Sequence, residues 1–195
     1  MLGAIILCFG WIGFNGGSAL AWGSEVPGII AHTILAASSG MIVALAVGWG
    51  LKGYPDISCG MNGILAGLVA ITANCHIVSA PEAVLIGGIG AIVMLAANHA
   101  LEKLKLDDVV GSFSVHAAAG VWGTLAVALF GDVSAFQEGF GRWEQLGVQA
   151  LGATVCGTLC FGSTFAAKPE QSWKDNVDGV IKLPIRQGQF VKALL

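Results

Sequence analysis

Apolar residues fill six long stretches of this chain, near positions 2–22, 28–51, 59–80, 83–101, 110–131 and 146–167. Each approaches the ~20 residues that an α-helix needs to cross the ~30 Å hydrocarbon layer of a bilayer. The interruptions carry turn chemistry or charge. They are Glu25 and Pro27, the segment Lys52-Gly53-Tyr54-Pro55-Asp56, Pro81-Glu82, the run from Glu102 to Asp108, and the loop from Asp132 to Glu144. This pattern predicts an all-α membrane protein with six transmembrane helices. A transmembrane domain occupies 1–167 and a polar tail occupies 168–195, the tail being too short to build a core of its own.

Composition points the same way. Of the 195 residues, 55% are hydrophobic and 11% charged, against ~25% charged in soluble domains, and the mean hydropathy is +0.79. The 29 glycines are about twice the ordinary share, as fits helices that approach closely in a membrane. Cys8, Cys59, Cys75, Cys156 and Cys160 are scattered and read as small apolar packers rather than metal ligands. Ala19-Leu20-Ala21 resembles a signal cleavage site, but no basic segment precedes it and Asn15 to Ser18 interrupt the apolar run, so cleavage is not expected. Neither a cofactor, a metal nor a nucleic-acid partner is expected, and no catalytic constellation is present.

Charge placement sets an expected orientation. With six spans, Lys52, Lys103, Lys105, Lys168, Lys174, Lys182, Arg186 and Lys192 share one side of the membrane, and Arg142 lies on the other. Basic residues accumulate in the cytoplasm, so both ends of this segment should face it.

Three stretches carry candidate chemistry. "GWIGFNGGS" at 10–18 places Asn15, Ser18 and four glycines towards one end of a lipid-bound helix, where they must face something other than lipid. Trp11, Phe14, Ser18 and Trp22 form an aromatic and polar cluster on or near that helix, and an aromatic face beside a hydroxyl can attract a small cation. His116 lies eight residues beyond Asp108, ~12 Å along a span if the helix starts there. An ionisable group at that depth is a functional candidate that should face the bundle interior, with Gly120, and Gly123 or Thr124, on its side. His32, His76 and His99 fall nearer span ends and read as interfacial. In "CGMNGILAGLVAITANC" at 59–75, Gly63 and Gly67 have small-xxx-small spacing and imply helix contact. Asn15 and Asn62 are expected to hydrogen-bond to interrupted backbone.

Together, "GWIGFNGGS", "NGILAGLVAITANC" at 62–75 and "DDVVGSFSVHAAAGVWG" at 107–123 resemble the ammonium transporter (Amt/Rh) family. The resemblance covers nearly the whole chain but matches only the family's second half, its sixth to eleventh spans. It implies that Phe14 is one ring of a stacked gate and that Ser18 helps recruit ammonium outside. His116 matches one of two pore histidines, Trp11 a lower-pore tryptophan, Thr72 a threonine near the gate, and Asp108 a structural carboxylate. It also implies ammonium and ammonia as permeants, membrane lipid as surroundings and a homotrimer. In the family, ammonium is recruited as a cation and ammonia crosses the apolar pore.

The departures also count. The family's pore lies between two inverted repeats, and the other histidine, the other phenylalanine and the vestibule tryptophan belong to the N-terminal repeat. That repeat would have to come from the same or another chain. Two oppositely inserted copies of this chain are a poor substitute, since the basic residues favour one orientation. His32-Thr33 stands where the family often has asparagine-threonine. Asp178-Gly179-Val180 matches the family's acidic Glu-Gly-Leu-Asp segment only faintly, which gives weak support to docking of a PII-type regulator. A non-conducting membrane sensor or scaffold derived from the same fold is the alternative to transport; an unrelated channel would require the three motifs to coincide by chance.

Overall fold

The computed structural model describes residues 2–108 and 110–166. The tail at 168–195, with Asp178-Gly179-Val180, lies outside the described residues. The described chain forms α1 (Leu2–Gly17), α2 (Val26–Lys52), α3 (Ile57–Thr72), α4 (Ala80–Lys103), α5 (Ala119–Phe130) and α6 (Arg142–Ala166). A π-helical segment, Ser112–Ala118, leads into α5 without a break, and no strand occurs among the described residues. The protein is an all-α membrane protein. Four helical stretches, Val26–Lys52, Ala80–Lys103, Ser112–Phe130 and Arg142–Thr164, are long and apolar enough to cross a bilayer.

The first and third predicted spans are shorter than their apolar runs. α1 stops at Gly17 rather than near 22, and α3 at Thr72 rather than near 80; each has 16 residues, or about 24 Å of helix. Glycine explains the first stop, since Gly16 and Gly17 weaken the last turn. At the second, Asn74 turns its side chain onto backbone carbonyls instead of continuing the helix. Other ends follow local rules. Asp56 caps α3 by accepting from the amides of Ser58 (2.9 Å) and Cys59 (3.4 Å). Glu82 accepts from both the amide and the hydroxyl of Ser79 at 2.7 Å, closing the start of α4. α2 ends at Gly53, whose φ of +79° suits glycine.

α2, α3 and α4 pack on one another, and α3 and α4 also carry α5. Glycines set the spacing. A Cβ on Gly87 of α4 would stand 2.6 Å from Ala36 Cα, and one on Gly67 of α3 would stand 2.9 Å from the same residue's carbonyl carbon. A Cβ on Gly123 of α5 would meet Ala70 Cα at 2.8 Å. These contacts are backbone against backbone, the close approach that small residues permit in lipid. One core cluster, around Ile71 and Ile86, lies towards the Ser18 end of the helices; another, around Met94 and Val115, lies towards the Lys52 end. Large apolar side chains such as Ile42, Leu51 and Ile92 point outward, as a lipid-facing surface requires. One compact unit runs to Ala153, and α6 from Thr154 onward belongs to a second.

Candidate functional site

The asparagine of "GWIGFNGGS" is the pin that fastens α1. Asn15 is 3% exposed and is the buried residue of its helix. Its Nδ2 donates to Thr33 Oγ1 at 3.0 Å, and that hydroxyl donates to the Ile29 carbonyl at 2.7 Å. The partner is therefore a side chain of α2 rather than interrupted backbone. A polar pin suits lipid, where apolar contact alone hardly distinguishes one helix face from another.

With Asn15 turned inward, its neighbours are turned outward. Phe14 is 60% exposed, and its ring meets Trp11 edge to face at 6.2 Å between centroids. Trp11 Nε1 donates to Thr72 Oγ1 at 2.8 Å, and Thr72 donates to the Leu68 carbonyl at 2.7 Å. Ser18 donates to the Phe14 carbonyl at 2.7 Å, so its hydrogen is committed while its oxygen can still accept. An open cavity of about 370 Å3 is lined by Phe14, Asn15, Ser18 and Thr72, with Glu25 and His76 also on its wall. The site thus offers an aromatic face, a hydroxyl acceptor and a carboxylate around one small space. These can hold a small cation that donates hydrogen bonds. Trp22 does not join it: it is 84% exposed and lines a separate groove with Ile12 and Ile30, because the chain leaves the helix at Gly17 and turns away.

His116 occupies a different place. Its helix begins at Ser112, not Asp108, which shortens the helical rise to the imidazole to about 6 Å. His116 is exposed in this chain rather than buried in the bundle, while Ser114 and Val115 beside it are buried. The Gly111 carbonyl accepts from both Val115 (2.9 Å) and His116 (3.3 Å), the widened turn of a π-helix. Asp108 holds that turn by accepting from the Phe113 amide (3.1 Å), the Ser114 amide (2.9 Å) and the Ser114 hydroxyl (3.0 Å). Burial pushes the Asp108 carboxyl up, but the hydrogen bonds from Ser114, Phe113 and Ser112 outweigh it and hold the group below the usual aspartate range.

α3 links the two places. A Cβ on Gly120, one turn beyond His116, would stand 3.6 Å from Val69 Cγ1, and Thr72, the partner of Trp11, follows Val69 by three residues. The Trp11–Phe14–Ser18–Thr72 cluster and Gly120 therefore flank neighbouring turns of α3, about 4.5 Å apart in rise, and His116 lies a further turn, about 6 Å, back along its own helix. No described hydrogen bond or ring contact joins His116 to Phe14.

Three contacts central to this arrangement were not read from the sequence. Thr33 receives the Asn15 pin, Asn74 ties the end of α3 to the Gly123 carbonyl of α5 at 3.0 Å, and Trp122 donates to the Ile86 carbonyl at 3.0 Å. A threonine or tryptophan inside an apolar run carries no signal until its neighbour is known. His32, read as interfacial, is half-buried with Nδ1 2.8 Å from the Cys75 carbonyl. Asn62, within α3, forms no hydrogen bond with any described residue, contrary to the expectation of a backbone partner. Among the described residues no three His, Cys, Asp or Glu side chains gather as metal ligands would.

Comparison with known proteins places this geometry. The Ammonium Transporter Family model matches residues 1–168. Ammonium transporter Amt2 of Archaeoglobus fulgidus is 40% identical over 177 residues, covering 85% of this chain and 38% of that protein. Ammonium transporter 1 of Schizosaccharomyces pombe is 32% identical over 179 residues, covering 85% and 36%. Among solved structures, a "Sensor Amt Protein" superposes with a TM-score of 0.79 at 40% identity, over 83% of this chain and 40% of that one. The crystal structure of Candida albicans Mep2 gives 0.77 at 28% identity, over 84% and 38%. The chain spans less than half the length of each of these relatives.

Proposed function

Because this chain belongs to the ammonium transporter family, we propose that it supplies the C-terminal half of a path that conducts ammonia after recruiting ammonium. The observation that carries this reading is the division of its glycine, polar and aromatic groups. α2 to α5 close on one another through glycine, whereas Phe14, Ser18 and His116 stand exposed beside α3. An N-terminal repeat, in the same or another chain, covers that side and completes the pore.

In this reading ammonium settles outside against Phe14 and donates an N–H to the Ser18 oxygen. Ammonia then passes Phe14 in neutral form and exchanges hydrogen bonds with the His116 imidazole. Trp11 and Thr72 hold the wall between them, and Asp108 sets the turn that carries His116. Both ends of the segment face the cytoplasm, as the lysine distribution favours, and the assembly is a homotrimer, as the family resemblance implies. Docking of a PII-type regulator would fall on the tail, outside the described residues.

The test is co-expression with a first-half polypeptide in a host lacking its own ammonium uptake. Labelled methylammonium accumulation should appear only with both halves present. It should disappear with His116→Ala, and Ser18→Ala should raise the half-saturating concentration by at least about ten-fold, the worth of one hydrogen bond to a charged group. Absence of uptake when both halves are shown to be assembled in the membrane sinks the proposal.

One observation favours a second reading. The solved structure at 40% identity is that of a Sensor Amt Protein, so the same half could complete a receptor that binds ammonium without conducting it. Saturable ammonium binding without accumulation in the co-expression assay would select that reading.

A further inference from the structure

A tight turn after α3 carries a histidine that the proposed path leaves without a role. The Ile77 amide donates to the Asn74 carbonyl at 3.0 Å, which puts Cys75 and His76 at the centre of the turn. Its backbone is held on both sides of His76. Asn74 is fully buried, and its Nδ2 donates to the Ala70 carbonyl at 3.3 Å and the Gly123 carbonyl at 3.0 Å. The Cys75 carbonyl accepts from His32 Nδ1 at 2.8 Å, and the Ile77 carbonyl accepts from the Asp132 amide at 2.8 Å. The His76 imidazole itself makes no hydrogen bond with any described residue. A fixed backbone therefore presents an uncommitted ring.

That ring lies on the wall of two cavities. One is the space of about 370 Å3 that it shares with Phe14, Ser18, Thr72 and Glu25. The other holds about 560 Å3 and is lined also by Glu82, Asp132 and Arg142. The charged and titratable groups around His76 are thus Glu25 before α2, Glu82 of α4, Asp132 after α5 and Arg142 of α6, with His32 and the Cys75 thiol behind the turn; α1 brings Phe14 and Ser18, which carry no charge. Most of these are committed. Glu82 accepts from Ser79, Asp132 from the Ser134 amide at 2.9 Å, and Arg142 Nη1 donates to the Ala128 and Leu129 carbonyls at 3.0 Å. Glu25, Glu82 and Asp132 against Arg142 leave a surplus of negative charge that favours a cation here. Ammonium can answer it, and so can a protonated imidazole, but the two repel each other.

We propose that neutral His76 is a second ligand of the recruited ammonium, accepting one N–H while Ser18 accepts another, and that protonation of His76 expels the cation. This rests on the reading of the Phe14–Ser18 cavity as the recruitment site. A neutral imidazole offers one ring nitrogen as an acceptor, and a hydrogen bond from a cation to it is charge-assisted. Protonation removes that lone pair and sets a positive charge in its place. Capture then falls on acidification, in the range where histidine is the side chain that changes charge.

The test is equilibrium dialysis of labelled methylammonium against the full chain assembled with a first-half polypeptide in detergent. It is run at about pH 8 and about pH 5.5, which bracket ordinary imidazole titration; methylammonium is a cation at both. The parent should bind about ten-fold more weakly at the acid pH. His76→Leu should weaken binding about ten-fold at the higher pH, with no further loss on acidification. His76→Gln keeps an acceptor that does not titrate, so it should bind more tightly than His76→Leu and equally at the two pH values, a pattern that a merely structural histidine would not give. No acid loss in the parent, an acid loss that persists in His76→Gln, unchanged binding in both variants, or an assembled parent that binds no methylammonium would each overturn the assignment. Binding that depends on His76 without accumulation in the uptake assay would instead strike the conduction reading and leave this one standing. Accumulation that is indifferent to both His76 variants would strike this one alone.

Discussion

Gly87 offers the sharpest test of how the bundle is held. Ala36 of α2 lies under both α3 and α4, and a methyl group on Gly87 would stand 2.6 Å from Ala36 Cα and 2.7 Å from its carbonyl carbon. Carbon atoms pack at ~3.5–4.0 Å, so α4 would have to retreat from α2 by roughly an ångström. The obstacle is backbone, which cannot rotate aside as a side chain would. Overpacking of this kind costs about 1–3 kcal/mol, and in lipid little apolar driving force exists to offset lost contact. Gly50 is the control on α2, because nothing lies within 4 Å of a Cβ placed there, and alanine there should be neutral or slightly stabilising. The assay is unfolding in mixed micelles with increasing dodecyl sulfate, read by helix content. Gly87→Ala should lose about 1–3 kcal/mol while Gly50→Ala loses none. Equal stabilities for Gly87→Ala and the parent would refute the backbone contact.

Three further outcomes are expected. Thr72→Val should strand the Trp11 indole N–H and cost about 1–3 kcal/mol in the same unfolding assay, whereas Thr72→Ser, which keeps the acceptor, should cost less. Asn74→Asp should destabilise more than Asn74→Ala, since it sets a carboxylate against the Ala70 and Gly123 carbonyls that the amide now satisfies; a smaller loss for aspartate would contradict that geometry. Asp108 has a depressed carboxyl pKa in the folded chain, so its contribution is present above the ordinary aspartate value of about 3.9 and is lost as pH falls through the lower folded value. Unfolding midpoints measured on either side of that window should converge for the parent and Asp108→Asn at the acid side and separate at the neutral side; a constant difference would exclude the linkage.

Much of the architecture was written in the order of residues. Six apolar runs with charged or proline-bearing breaks specify six apolar helices, four of them long enough to cross a bilayer, because a backbone in hydrocarbon must satisfy its own hydrogen bonds. Gly63 and Gly67 announced a close helix contact, and Phe14, Ser18 and Thr72 do line one cavity. Local chemistry was readable where both partners lie within a few residues, as with Asp56 before Ser58 and Ser79 before Glu82.

Contacts that join distant residues were not readable. That Asn15 reaches Thr33, that Trp11 reaches Thr72, and that Gly67 and Gly87 converge on one alanine depend on which helix faces meet. A uniformly apolar sequence does not encode that in any periodic pattern. The rise to His116 was not readable either: counting from Asp108 assumed a helix that starts four residues early and turns with ordinary pitch. The π-helical turn and the positive φ of Gly111 instead set its height and its outward face. Apolar patterning and chemical motifs by themselves determined the membrane fold and the list of candidate residues. Tertiary packing decided which of them share a site, because in lipid the choice of partner rests on steric fit and a few polar pins rather than on the burial of grease.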